Sequence, residues 1–323
     1  MERKGLPPRT CALSRVAILL AASIFPSIAA TQVVNSTKNP LQIATLHWYK
    51  ANQTTVFTVG TGPLGIAFDG ASVWIANYNV NTVSKLKASD GTTLGTFTVG
   101  TKPTNVTFDG ANVWVVNQSD GTVTKLRGSD GTKIGTYPVG VTPIGTMFDG
   151  ANVWVANFDG NSVTKLRASD GANLGTFTVG SGPTGLAFDG THVWVSNQIS
   201  NTVMKLSSSG TVLGTFPVGT TPLYLAFDGT NMWVADAGSN EVTKLSLAGS
   251  ILGTFPVGSF PEAIAFDGAN IWITNFSSNN VTKLALNGTV MGTFAVGLGP
   301  QGIAFDGANI WVANWSGGTV SKL

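Results

Sequence analysis

The sequence predicts an all-β fold, a seven-bladed β-propeller with four-stranded blades, its ring closed by an N-terminal strand that completes the last blade. Three observations carry this. The triplet Phe-Asp-Gly begins at Phe68, Phe108, Phe148, Phe188, Phe227, Phe266 and Phe305, at intervals of 40 and then 39 residues. A tryptophan follows each triplet at one fixed offset: Trp74, Trp114, Trp154, Trp194, Trp233, Trp272 and Trp311. Each repeat also divides into four short apolar runs separated by turn residues, which is the content of one propeller blade.

The first repeat shows the elements in order. Gly65–Phe68 is a β-type run, and Asp69-Gly70 is a tight-turn signal because glycine tolerates positive φ. Val73–Ala76 forms the second run, and the polar stretch Asn77–Asn81 leads to the third, Thr82–Leu86. Ser89-Asp90-Gly91 turns the chain into the fourth run, Leu94–Val99, closed by Gly100. Helical repeats of similar length are excluded, because no stretch has a 3.6-residue apolar period and Gly, Thr and Val form helices poorly. The last repeat stops at Leu323 after its third run, and Val56–Gly60 copies the fourth run Phe97–Gly100, so the N-terminal segment is expected to close the ring. Pro138, Pro217 and Pro256 lie in fourth runs, which places that strand outermost, where a missing N–H is tolerated. The repeated Trp and Phe are expected between neighbouring blades.

Three regions follow: a signal peptide over 1–30, a linker or cap over 31–52, and the propeller over 53–323. Arg3, Lys4, Arg9 and Arg15 precede the apolar stretch Val16–Phe25, and Ser27-Ile28-Ala29-Ala30 supplies small residues for cleavage. The expected location is therefore periplasmic or extracellular. The apolar stretch is too short for an ordinary membrane span, and no membrane span is expected in the mature chain. Cys11, the one cysteine, is lost with this segment. Without residues 1–30 the chain has 14 basic and 15 acidic residues and no basic run, which excludes nucleic acid as a partner. The chain is expected to be a monomer.

Chemistry is expected on the face shared by two loop sets. The inter-blade loops bring Leu64, Thr104, Ile144, Thr184, Leu223 with Tyr224, Glu262 and Gln301. The loops between second and third strands begin with Asn77, Asn117, Asn157, Asn197, Asp236, Asn275 and Asn314. These seven read either as a polar ligand ring or as amides satisfying their own turns. The next residue varies while the framework stays fixed, and Tyr78, Phe158, Phe276 and Trp315 there are candidate stacking platforms. Together with Tyr224 and Glu262, these residues form the expected site for a protein, peptide or glycan, with no cofactor. The repeated lysines, from Lys85 to Lys322, read as solvated charges weakly paired with Asp90, Asp130 and Asp170. No catalytic triad, phosphate loop or HExxH motif is present.

Each repeat runs Pro-x-Gly, apolar strand, Asp-Gly, a Val-Trp-Val-Ala-Asn segment, Asn-x-Val-x-Lys-Leu and a closing Val-Gly. This resembles the YVTN-type and NHL-like propeller repeats of YncE-like exported proteins and of streptogramin (virginiamycin B) lyases. The lyase resemblance implies a metal, Mg2+, with histidines and a glutamate on one face. Here Glu262 could match the acidic position, with Asp236 as a second carboxylate, as catalytic residues if the protein is such an enzyme. The only histidines outside the signal segment are His47, before the ring, and His192, expected on the opposite face. The expected function is therefore a non-catalytic binding or scaffold propeller, with a metal-assisted streptogramin B lyase-like enzyme as the alternative.

Overall fold

The computed structural model describes residues 55–323; the expected signal segment 1–30 and linker 31–52 lie outside the described residues. β1 (Thr55–Thr58) hydrogen-bonds β28 (Thr319–Lys322), with Thr55 opposite Lys322 and Thr58 opposite Thr319. Together with β26 (Pro300–Phe305) and β27 (Ile310–Asn314) these strands make one antiparallel blade, the seventh. Blade 1 is β2 (Pro63–Phe68), β3 (Ser72–Asn77), β4 (Thr82–Lys87) and β5 (Thr93–Thr98). Blades 2 to 6 repeat this order from Pro103, Pro143, Pro183, Pro222 and Pro261. The first strands of successive blades adjoin one another around the ring. The fourth strands are outermost, and Pro138, Pro217 and Pro256 end them on exposed positions. Among the described residues no helix is long and apolar enough to cross a membrane.

The first strand starts at the proline, two residues earlier than the apolar run indicates. In blade 1 Pro63 pairs with Asn77 and Ile66 with Ile75, so Leu64 and Gly65 together oppose one residue. Every blade has this irregularity at the same place. A bulge bends the strand and re-aims its extra residue. Here the bulge residues Leu64 and Gly65 line the central channel.

Packing is between blades. Trp74 is fully buried and joins Ala76 and Val83 of its own blade to Val106, Val113, Val115 and Leu126 of the next. Phe97 covers it with ring centroids 5.4 Å apart. The Asp of each Phe-Asp-Gly triplet does more than turn the chain. Asp69 Oδ1 accepts the N–H groups of Ala71 and Ser72, and Oδ2 accepts the Trp74 indole N–H at 2.7 Å. The other six blades repeat the indole bond. A buried indole N–H without an acceptor is costly, so the triplet and the tryptophan act as one unit.

The seven repeated lysines are not solvated surface charges. Lys85 faces Trp74 in register, which puts its ammonium 4.8 Å from the indole centroid. From there it donates to the Gly128 and Ser129 carbonyls of blade 2, at 2.7 and 3.2 Å. Lys125, Lys165, Lys205 and Lys244 reach forward to the next blade in the same way. Lys322 reaches Ala88 and Ser89 of blade 1, so the clamp also crosses the ring closure. Asp90, Asp130 and Asp170 pair instead with Lys87, Arg127 and Arg167, which sit at the exposed strand ends beside those turns.

Candidate functional site

The two loop sets meet on one face, but the asparagine ring is inside the blades. Asn77, Asn117, Asn157, Asn197, Asn275 and Asn314 are fully buried, and so is Asp236. They close the second strand instead of opening the loop. Asn117 donates to the hydroxyls of Thr122 and Thr124 and accepts the Gly100 N–H at 3.0 Å. Asn157 repeats this with Ser162, Thr164 and Gly140. A Cβ on Gly100 would lie 2.5 Å from the Asn117 amide, so the closing glycine of each Val-Gly provides close approach. The amides of Asn117 and Asn157 therefore serve the fold, and all six asparagines lie buried and line neither cavity.

Asp236 takes the asparagine place in blade 5. The Thr243 hydroxyl donates to its Oδ2 at 2.6 Å. Burial pushes this carboxyl up to about 7, against the Thr243 hydrogen bond and with a further upward push from Glu241. A protonated carboxyl is the nearest match to the amide that the other blades place there.

Above the channel lies a cavity of about 320 Å³. Each blade gives it the residue after its proline: Leu64, Thr104, Ile144, Thr184, Leu223, Glu262 and Gln301. Tyr78 and Trp315 form part of its wall, with ring centroids 5.2 Å apart, and Phe260 lines it as well. Gln118 and Gln198, at the variable loop position, complete the polar part. Phe158 and Phe276 hold that same loop position but do not line the cavity. Phe276 packs edge-on against Phe260 at 6.0 Å, and so supports a wall residue.

A second cavity of about 220 Å³ continues down the axis, and Leu64, Tyr224, Glu262 and Gln301 line both. These four make the layer between them. Below it Ile66, Val106, Thr146, Leu186, Leu225, Ile264 and Ile303 form a nearly all-apolar ring, one residue per blade. Asn105 of blade 2 donates to the Tyr224 hydroxyl of blade 5 at 3.3 Å, a bond that crosses the channel.

Glu262 sits in this layer with the Gln301 side chain as its hydrogen-bond partner. Part of its surface opens to the cavities, but protein surrounds the carboxyl. Burial pushes it up to about 8, and the Gln301 hydrogen bond opposes this only in part. Tyr224 is also pushed up, by burial and then by the nearby Glu262. Glu262 Oε2, Gln301 Oε1 and Thr146 Oγ1 are buried oxygens without a hydrogen-bond partner. Unpaired buried acceptors of this kind call for a water or a ligand donor.

The chain's own pattern marks the residues that composition alone passes over. The third position of the first strand reads Gly65, Asn105, Gly145, Gly185, Tyr224, Ala263 and Gly302. Asn105 and Tyr224 are the two large exceptions in a column of small residues. The residue before the proline reads Gly62, Lys102, Thr142, Gly182, Thr221, Phe260 and Gly299, and all seven have positive φ. Phe260, at φ 57°, is a bulky residue held in a conformation that glycine prefers, on the rim of the cavity.

Two carboxylates for a metal are not brought together. Asp236 is enclosed in blade 5 and lines neither cavity, while Glu262 lies in the channel. Among the described residues no group of three or more His, Cys, Asp and Glu side chains could hold a metal ion. The residues present do not fit Mg2+ bound through Glu262 and Asp236. His192 lies beside the Asp189-Gly190 turn, at the end of the blade away from the cavity, where its Nδ1 is 3.2 Å from Asp189 Oδ2. It takes the place that Asn112 and Asn152 hold against their own aspartates.

This architecture is shared with solved structures. The chain has the fold of the streptogramin B lyases. A streptogramin B lyase superposes with a TM-score of 0.73 at 20% identity, covering 84% of this chain and 96% of that one. Virginiamycin B lyase from Staphylococcus aureus gives 0.73 at 22% identity, covering 84% and 98%. Hydrazine synthase from Kuenenia stuttgartiensis gives 0.72 at 20% identity, covering 82% and 97%. At these identities the likeness is one of fold. No family profile matches the chain, and no curated protein matches it in sequence.

Proposed function

We propose that the protein is an exported, non-catalytic binding propeller that holds a peptide or glycan in the loop-face cavity. The observation that carries this reading is the cavity itself. All seven blades contribute to it, and an aromatic wall of Tyr78, Trp315 and Phe260 stands over the polar layer of Glu262 and Gln301. Concave sites with aromatic walls and a few polar groups are the usual form of a small-ligand site. Phe260 adds support, since a strained residue at a cavity rim is a common mark of function.

A panel of neutral glycans, peptides, streptogramin B and divalent metals, with a chelator control, tests this by thermal unfolding. A ligand that binds only the folded state adds about 2.7 kcal/mol at a hundredfold excess over its Kd. A shift with a glycan or peptide that persists with chelator supports the proposal. No shift with any member counts against a small-ligand site.

The lyase alternative draws on the shared fold and on Glu262, a carboxyl whose proton is held to about pH 8 in a cavity. Among the described residues the one histidine, His192, is on the far face. Consumption of streptogramin B, abolished by Glu262→Gln, would favour the lyase over the binding reading.

A further inference from the structure

The chemistry of the cavity floor goes further than its shape. This inference rests on the reading of the loop-face cavity as a ligand site and names the group it takes. Glu262 Oε2 and Gln301 Oε1 are buried acceptors without partners, in the layer where the two cavities meet. Among the described residues, Glu262, Tyr78 and Tyr224 are the only titratable side chains lining either cavity, and no basic side chain does. Glu262 is the one carboxyl in this layer, and no protein donor reaches its Oε2 or the Gln301 Oε1, so both can accept hydrogen bonds from a ligand.

The surroundings agree. Among the described residues, the loops of this face carry Lys102 as their one base, against Asp120 and Asp159. With one more acid than base, these loops favour a cation over an anion at the mouth. Between mouth and floor stand apolar and aromatic side chains, Leu64, Leu223, Tyr78 and Trp315. Such walls suit an unbranched methylene stem, and the Lys102 ammonium already lies 5.6 Å from the Tyr78 ring centroid.

We propose that the cavity receives the side chain of a peptide lysine, its ammonium donating to Glu262 Oε2 and Gln301 Oε1. Without a ligand, burial holds the proton on Glu262 up to about pH 8. An ammonium beside the carboxyl favours the charged form and offsets that burial.

Titration calorimetry at pH 7.5 tests this with three probes: N-acetyl-Gly-Lys-Gly amide, its norleucine analogue and its Nε-acetylated form. The wild-type protein is expected to prefer the lysine probe by about tenfold or more, the worth of one hydrogen bond to a charged group. Glu262→Gln is expected to erase that preference. Equal affinities for the three probes in the wild-type protein would overturn the proposal, and so would no binding of the lysine probe. The acetylated probe keeps the test valid even if the variant does not fold. A neutral glycan that binds and is weakened by Trp315→Ala, alongside equal probe affinities, would sink the lysine proposal alone. Failure of every ligand would sink the cavity reading too.

Discussion

Asp236→Asn should stabilise the protein, and only above the acidic range. Asp236 fills a position that six blades give to asparagine, and its carboxyl is fully buried. Burial moves it from 3.8 to about 7. Each tenfold change in proton affinity is about 1.4 kcal/mol, so the folded state loses about 4 kcal/mol relative to the unfolded chain as the pH rises between those values. The sign follows from the raised value. Below about pH 4 the carboxyl is protonated in both states and costs nothing. Above about pH 7 it is ionised in both, and the full burial cost applies. Asparagine removes the titration and can donate to Thr243, as Asn117 donates to Thr124. Urea unfolding of both proteins at pH 4 and pH 8 reads the difference. The two should agree within about 1 kcal/mol at pH 4, with the variant ahead by up to about 4 kcal/mol at pH 8. A difference independent of pH, or a variant weaker at pH 8, would refute this assignment of the buried carboxyl.

Other consequences are as specific. Lys125→Met should cost about 2–4 kcal/mol in chemical unfolding, because it strands the Ala168 and Ser169 carbonyls, whereas Lys87→Met at an exposed pair should cost less than about 1 kcal/mol. Trp114→Phe should cost about 1–3 kcal/mol, since it leaves Asp109 Oδ2 without its buried donor; a neutral result would deny the aspartate–indole pair its role. Phe260→Gly should raise stability by about 1 kcal/mol by relieving the positive φ, yet weaken ligand binding, and calorimetry beside urea unfolding would separate the two effects. At low pH the protein should weaken as the pH falls below the ordinary carboxylate value. Burial works to raise Asp149, Asp189, Asp267 and Asp306, but the indole and backbone hydrogen bonds outweigh it and hold all four below that value.

The fold was legible because each blade repeats the same solution. The spacing of Phe68, Trp74 and their copies states the period, and the prolines at Pro138, Pro217 and Pro256 mark the outer strand. What lay between the strands was harder to read. Asn117 looks the same in sequence whether it caps a strand from inside or faces a ligand, and only the packing of Gly100 against it decides. Lys85 looks like any strand-end lysine, but its register with Trp74 carries it under the next blade. The site divided along the same line. Residues standing on the bulge, Leu64 through Gln301, line one cavity because the blade order fixes where they emerge. Phe158 and Phe276 share a sequence position with Tyr78 and Trp315 yet miss the cavity, because one loop offset does not fix where a ring points. Asn105 and Phe260 each break a column that is otherwise largely glycine or small residues, a signal visible only once the repeats are aligned.

The proposed binding function places the ligand in the loop-face cavity. The most direct measurement is the affinity of the strongest panel ligand for Tyr78→Ala, Trp315→Ala and a control, Leu252→Ala, at an exposed position of the outer strand Ile251–Pro256 of blade 5. Truncating either aromatic should cost more than about 1 kcal/mol of binding, roughly fivefold or more in Kd, with Leu252→Ala unchanged. Unchanged affinity in both cavity variants, or a loss confined to Leu252→Ala, would contradict it and move binding to the outer rim.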